Sequence, residues 1–366
     1  MNFFYNNRCL VNPNIDNEIN EAAKRLYEKL LRLELNDLNI SEYNKRYLGN
    51  RIKSKKANLQ LYTHLLSLSL KNLTYSFKDI VLVDYGGGAG LFSLLAKELG
   101  IGTVIYNDIF DTSCDDFRII SNKLKISIDS IVPGDIGELI DFVSKNNIKI
   151  NSICSFDVIE HIYDVSNHIN NLEKLSDGFM NIVYASSANI KNKRIMKSIN
   201  KIHYTHEYID REKKTDHKER DLEKSFFKTR IKIIKNYNSK LDDLIVEKLA
   251  KTTRGLIKKD IEKCIDEYIK KGSVSYEPDK ILNTCDPYTG NWAENVMSHK
   301  WLVETFNKNN LNLLILPGFY LDSNSYFKNL IKYLLNSFIK YFKNYSMFIA
   351  PYYILYSNKK INQTKI

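Results

Sequence analysis

Apolar residues recur at helical spacing early in the chain: Leu26, Leu30 and Leu33, then Leu59, Tyr62, Leu65 and Leu66, separated by a polar stretch rich in Lys, Arg and Tyr. Residues 1–75 therefore read as a helical region. The pattern then changes. Ile80, Val81, Leu82 and Val83 form a short β-type run that stops at Asp84 and a glycine cluster, and 91–99 reads as a helix ended by Gly100. Strands are expected at 103–106, 130–132, 152–156 and 180–185, with helices at 115–124, 137–145 and 165–175 between them. Strands alternating with helices at this spacing predict βαβ units and a parallel sheet.

The alternation breaks after the fifth strand. Residues from about 190 to 290 are charged and mostly helical, most clearly over 242–251 and 258–271. Sheet-like sequence resumes at 312–316 and at 348–355, with an amphipathic helix over 325–343 between them. The expected fold class is α/β: a Rossmann-like, mostly parallel seven-stranded sheet with helices on both faces, N-terminal helices and a helical insertion after strand five. The boundaries expected are 1–75 for the N-terminal helical region, 76–190 and 295–360 for the sheet domain, and 191–294 for the insertion, read as a substrate lid.

With 43% hydrophobic residues, the chain can bury a core, which argues against disorder. Cys9, Cys114, Cys154, Cys264 and Cys285 are odd in number and form no C-x-x-C pair, which disfavours a disulfide framework or zinc site and suits a reducing cytoplasm. The first residues show no secretory pattern. Lysines 328, 332, 340 and 343 interrupt the most membrane-like stretch, so no transmembrane segment is expected, although a peripheral contact is open. The formal net charge of +11 is concentrated between Lys191 and Lys270, where 23 Lys/Arg face 14 Asp/Glu. That is either a solvated helical surface or one that attracts an anionic partner such as a phosphate-bearing sugar, nucleotide or nucleic acid.

The strongest local signal lies where the first strand ends. Val81-Leu82-Val83-Asp84-Tyr85-Gly86-Gly87-Gly88-Ala89-Gly90 runs from a strand through glycines at alternate positions, Gly86, Gly88 and Gly90, into a helix. Glycine removes a Cβ where backbone turns sharply or touches a ligand, and the helix N-terminus beyond offers N–H groups to a carboxylate or phosphate. On its own this pattern serves nicotinamide cofactors equally well, or a tight turn without ligand. Asp108 closes the next strand 18 residues after Gly90, where an acid either holds ribose hydroxyls or caps a helix.

The run from Asp84 to Gly90 resembles the first motif of the class I S-adenosylmethionine-dependent methyltransferases, and Gly134-Asp135-Ile136 resembles their adenine-site motif. Phe156-Asp157-Val158-Ile159-Glu160-His161-Ile162 is similar to the strand-four signature of the ubiquinone-type O-methyltransferase branch, and Pro317-Gly318-Phe319 with 348–355 resembles that family's final strand pair. The likeness covers about 80 to 185 and leaves out the insertion and the N-terminal helices. It implies S-adenosyl-L-methionine as cofactor. Gly86 and Gly88 would let the backbone approach the methionine part, with Gly90 completing the turn, while Asp84 orders the loop and meets the amino group. Asp108 would bind the ribose, Asp135 and Ile136 the adenine, and Phe156 and Asp157 would stand beside the reactive methyl. Tyr85 departs from the pattern, which usually has a small aliphatic residue there.

Methyl transfer from a sulfonium is an in-line displacement, so rate comes largely from positioning the acceptor. An alcohol acceptor also benefits from a base, for which His161 is the nearest candidate; its ordinary alternative is a helix-start histidine pairing with backbone or Glu160. No metal is expected. The alternative is a site built from Glu160, His161, His203 and His206, with Asp157 and His217, an arrangement similar to the acidic-x-x-Glu-His order of metal-dependent small-RNA 2′-O-methyltransferases. Tyr288 and Trp292, in a turn-rich segment, are candidates for stacking on a sugar or aromatic ring, and Arg254 for meeting an acceptor phosphate; core packing and a helix boundary are their ordinary alternatives. The expected function is methylation of an oxygen on a carbohydrate or another small anionic metabolite. The alternatives are an RNA methyltransferase that uses the basic insertion for backbone contacts, and a scaffold that binds cofactor without turnover.

Overall fold

A computed structural model describes residues 2–3, 13–176, 178–211 and 224–359. The chain divides into two compact units, one made of Met1–Val158, Ser166–Ser186 and His299–Ile366, the other of Ile159–Val165 and Ser187–Ser298. In chain order the elements are α1 (Pro13–Leu31), α2 (Glu42–Lys53), α3 (Lys55–Ser69), β1 (Val81–Tyr85), α4 (Leu91–Leu99), β2 (Thr103–Asp108), α5 (Asp111–Lys123), β3 (Ser130–Pro133), α6 (Ile136–Lys145), β4 (Ser152–Phe156), α7 (Val165–Leu172) and β5 (Met180–Ser186). There follow α8 (Lys193–Tyr208), α9 (Phe226–Tyr237), α10 (Asp243–Thr252), α11 (Lys258–Lys271), α12 (His299–Lys308), β6 (Leu311–Pro317), α13 (Tyr326–Tyr341), α14 (Ser346–Ile349) and β7 (Tyr353–Lys359).

The first unit is built on a seven-stranded sheet of order β3-β2-β1-β4-β5-β7-β6. The first five strands pair in parallel, and β7 runs antiparallel to both its neighbours. The sequence places the last strand at 348–355; the structure instead puts Ser346–Ile349 in a helix and starts the strand at Tyr353. Pro351 is the physical reason. Because β7 is bonded on both sides, its N–H groups are needed throughout, and proline has none.

Leu82, Val104, Tyr106, Cys154, Val183 and Ile354 alternate along their strands to one face, where they join Ile19, Leu26, Leu65, Leu94 and Phe117 of α1, α3, α4 and α5 in one core. Helix α3 is buried from Asn58 to Ser69, polar and apolar positions alike, because it packs against α1, α4, β4 and β5. The opposite face holds α7, whose His168 Nε2 lies 3.1 Å from the Tyr184 hydroxyl. Burial pushes the His168 imidazole down to about 3, so it is neutral.

In the second unit, Ile233, Ile234, Val246, Leu249, Ile261 and Ile265 form the core between α9, α10 and α11. A buried ion pair sits beside it. Arg230 meets Glu207 through both terminal nitrogens, its Nε donates to the Ala250 carbonyl at 2.8 Å, and the Thr284 hydroxyl donates to Glu207 at 2.6 Å. Every charge is answered, as burial of ions requires.

Candidate functional site

The parallel register sets Tyr85 beside Asn107, Asp108 beside Pro133, and Asp84 beside Cys154. The carboxyl ends of β1 to β4 thus form one edge of the sheet. From β1 the chain builds outward through β2 to β3, and from β4 it builds the other way. The crevice between β1 and β4 is where open α/β sheets take their ligands. Asp84, the glycine turn, Asp108, Asp135 with Ile136, and Phe156 with Asp157 all fall at these strand ends.

The glycine turn is tied to β2. Asp108 accepts the Gly88 N–H through Oδ2 and the Phe110 N–H through Oδ1, each at 3.0 Å, and the Tyr106 hydroxyl donates to the Gly88 carbonyl at 2.7 Å. Below the turn, Asp84 Oδ2 accepts both the N–H and the hydroxyl of Ser93, at 3.1 and 2.7 Å, under the first turn of α4. Burial pushes the Asp84 carboxyl up to about 7; the two Ser93 bonds oppose the shift and Asp108 adds to it.

Two of the glycines show why this turn needs them. Gly90 has φ +72°, and a Cβ there would lie 1.9 Å from the Phe117 ring, so the protein's own core claims the space. Gly88 has φ +53°, and a Cβ would stand 3.1 Å from Tyr47 of α2. At Gly86 the nearest neighbour would be Val158. Asp135 caps α6, taking the Gly137 N–H at 2.6 Å in a capping box with Glu138, while Ile136 is buried.

Residues that the sequence reading did not single out complete this edge. Arg51 of α2 donates to the Tyr47 hydroxyl at 2.7 Å and to Asn58 Oδ1 at 3.2 Å, and its guanidinium lies 4.9 Å from the Tyr47 ring and 6.0 Å from that of Phe156. Its pKa is raised above the usual arginine range, foremost by Tyr62, against the burial that opposes it, and further by Tyr47 and Asp157, so the guanidinium stays charged. Asp157 adopts a left-handed φ of +55°, uncommon outside glycine, with its N–H on the Ala185 carbonyl. Phe156 also meets Tyr352 edge-on, with ring centroids 6.2 Å apart. The available signal was Tyr43, Tyr47 and Arg51 at successive four-residue steps, which puts one stripe of ring and cation on a helix.

The remaining expected residues belong to the second unit. His161 Nδ1 donates to the Trp292 carbonyl at 2.8 Å; a carbonyl only accepts, so that nitrogen carries the proton and Nε2 is the basic one. The Trp292 indole stacks on Tyr163 at 5.9 Å and donates to the Tyr163 carbonyl at 3.2 Å. Tyr288 is exposed. Arg254 is buried, and its guanidinium holds the carbonyls of Leu282 and Asn283, which ties its turn to that backbone. His203 Nε2 meets the Glu294 carbonyl at 2.8 Å, and His206 Nδ1 lies 3.1 Å from Arg211. Among the described residues no group of three or more His, Cys, Asp or Glu is arranged to hold a metal ion; His217 lies outside them.

No protein-family model matches the sequence, and no curated protein matches it. Among solved structures, similarity is found to a putative S-adenosylmethionine dependent methyltransferase from Listeria monocytogenes at 9% identity, covering 82% of this chain and 96% of that one, with a TM-score of 0.40. An S-adenosylmethionine dependent methyltransferase from Mesorhizobium loti is 8% identical over 83% of this chain and 98% of that one, at 0.35. PKMT2 from Rickettsia typhi is 14% identical over 82% of this chain and 52% of that one, at 0.39. Likeness at this level carries no weight for family or activity, and the functional reading rests on the residues themselves.

Proposed function

We propose that this chain is an S-adenosylmethionine-dependent methyltransferase acting on an oxygen of a carbohydrate or another small anionic metabolite. The observation that carries the reading is the bond from Gly88 to Asp108. It brings the acid suited to a ribose diol and the turn suited to the methionine part side by side at the crevice between β1 and β4.

The donor set fits an amino acid joined to adenosine. Arg51 suits the carboxylate, Asp84 and Asp157 suit the ammonium, and Asp108 suits the two ribose hydroxyls. Asp135 and Ile136, at the start of α6, suit the adenine, and Phe156 walls the crevice at the end of β4. When bound, the cofactor supplies an electrophilic methyl group on a sulfonium. The protein's part is to hold the acceptor oxygen in line and to take its proton. His161, its tautomer set by the Trp292 carbonyl, supplies Nε2 as that base. Tyr288 and Trp292 are assigned to the acceptor, and the second unit to acceptor specificity. Arg254 is left out, because its donors already hold the 282–283 backbone.

Calorimetry with S-adenosylhomocysteine and, separately, a nicotinamide dinucleotide tests the cofactor assignment. Binding of the first, weakened by Asp108→Asn, is expected. Uptake of the dinucleotide alone would refute the reading. Label transfer from tritiated S-adenosylmethionine into a metabolite extract, lost in His161→Ala, tests the acceptor half; transfer to RNA alone would refute it.

A further inference from the structure

Helix α13 is mounted with its polar side inward. Asn329 exchanges two hydrogen bonds with the Ser323 backbone at 2.7 and 2.8 Å, and Asn336 does the same with Tyr320 at 2.7 and 2.9 Å. Between them, Lys332 donates to the Leu321 carbonyl at 2.7 Å. Residues 329, 332 and 336 lie on one side of the helix, anchored to the preceding loop. On the other side Phe327, Leu330, Ile331, Leu334, Phe338 and Tyr341 recur at helical spacing and are 37 to 73% exposed. A surface helix ordinarily turns that row toward the core. An outward row of this size marks an interaction surface.

Charge identifies the occupant. Between Asp322 and Lys359 the sequence contains no acidic residue, and Lys328, Lys340 and Lys343 stand exposed on α13 and just beyond it. Against a second copy through a twofold axis, these lysines would meet their own kind with no acid on the element to answer them. An anionic lipid surface answers both features at once: the aromatic and aliphatic row enters the headgroup boundary and the lysines meet phosphate. The helix has 16 residues, and among the described residues no helix is long and apolar enough to cross a membrane. We propose that α13 is an interfacial helix that docks this protein on anionic phospholipid. This inference is independent of the methyltransferase reading.

Sedimentation of the full chain with vesicles of phosphatidylglycerol and phosphatidylcholine, or of phosphatidylcholine alone, provides the test. Binding to the anionic vesicles that weakens as salt is raised is expected. The pair Phe327→Ser and Leu334→Ser should abolish it; because both side chains are exposed, the circular dichroism of the variant should be unchanged. Leu330→Asn, a milder second variant, should weaken it. Removing charge with Lys328→Gln, Lys340→Gln and Lys343→Gln should weaken binding by about fivefold per lysine. The proposal is overturned if the chain stays in solution with anionic vesicles, or if the apolar variants bind them as well as the parent. It is equally overturned if light scattering shows a dimer that those variants dissociate, since a second copy would then cover the face.

Discussion

Replacing Gly90 by alanine tests whether the glycine turn is required by the protein's own packing, apart from any ligand. Two costs arise. An L-residue at φ +72° meets the left-handed penalty of about 1–2 kcal/mol. The new methyl would also lie 1.9 Å from Cε2 and 2.3 Å from Cδ2 of Phe117, far inside contact distance. Phe117 is fully buried and stacked on Tyr106 with ring centroids 4.1 Å apart, so it has no easy route away. Forcing a methyl into such a core costs about 1–3 kcal/mol. Gly90→Ala should therefore destabilise the first unit by about 2–5 kcal/mol, a large share of the usual 5–15 kcal/mol. At Gly88 the φ penalty is similar, but the neighbour is Tyr47 at 3.1 Å, so Gly88→Ala should cost about half as much.

Guanidinium titration followed by far-ultraviolet circular dichroism measures both effects, read on the transition of the first unit because two units need not unfold together. A double-mutant cycle separates the two terms. Phe117→Leu in the Gly90→Ala background should return the steric part, giving a favourable coupling of at least about 1 kcal/mol. A loss below about 0.5 kcal/mol for Gly90→Ala, or a cycle with no coupling, would refute the packing argument and return Gly90 to the ligand alone.

Asp84 gives a pH prediction. Its carboxyl titrates near 3.8 when unfolded and about 7 when folded, so the folded chain holds the extra proton between those values. The group's contribution is fully present below about 4 and is lost as pH rises through 7, at up to about 1.4 kcal/mol per pH unit. Asp84→Asn should flatten this slope in denaturation curves taken from pH 4 to 8, and an unchanged slope counts against the buried acid. Arg51→Gln should weaken S-adenosylhomocysteine by about tenfold to a hundredfold, the worth of a charge-assisted bond, while adenosine binding stays level; equal losses for both ligands would assign Arg51 a structural role only. Arg230→Met should destabilise the second unit by about 3–5 kcal/mol by stranding Glu207, with much of the loss regained in Arg230→Met/Glu207→Leu. A loss under about 1 kcal/mol in thermal unfolding would contradict that account.

Hydrophobic patterning made the sheet legible because strands between helices leave period and punctuation in the sequence. The run 152–156 matches β4, and the glycine and acid positions fall at adjoining strand ends. What escaped is non-local. The spacing of Leu59, Leu65 and Leu66 shows that α3 buries a face, but not that α1 and the strands together enclose it on nearly every side. Nothing near Arg51 announces Phe156, more than a hundred positions away. Alternating glycines read as backbone cleared for a ligand, whereas at Gly90 the cleared space belongs to Phe117. Amphipathic α13 was legible as a helix, yet its orientation was not. The same periodicity fits either side inward, and Asn329 and Asn336 decide it through bonds to Ser323 and Tyr320.

The charges gathered at the crevice discriminate between ligands in a way the glycine pattern does not. A dinucleotide brings a pyrophosphate, two negative charges, to the turn between β1 and α4. Here that turn lies over Asp84 and holds the Asp108 carboxylate on its Gly88 N–H, so two acids already face it. Arg51, a cation on this edge, comes from α2, and its guanidinium lies 6.0 Å from the Phe156 ring at the end of β4. One guanidinium near acids is the set that an amino acid zwitterion satisfies, carboxylate to arginine and ammonium to aspartate. Affinity for S-adenosylhomocysteine over adenosine should therefore depend on Arg51. No single substitution of Asp84 or Asp108 should convert the crevice to dinucleotide binding, because one acid would still oppose the phosphates.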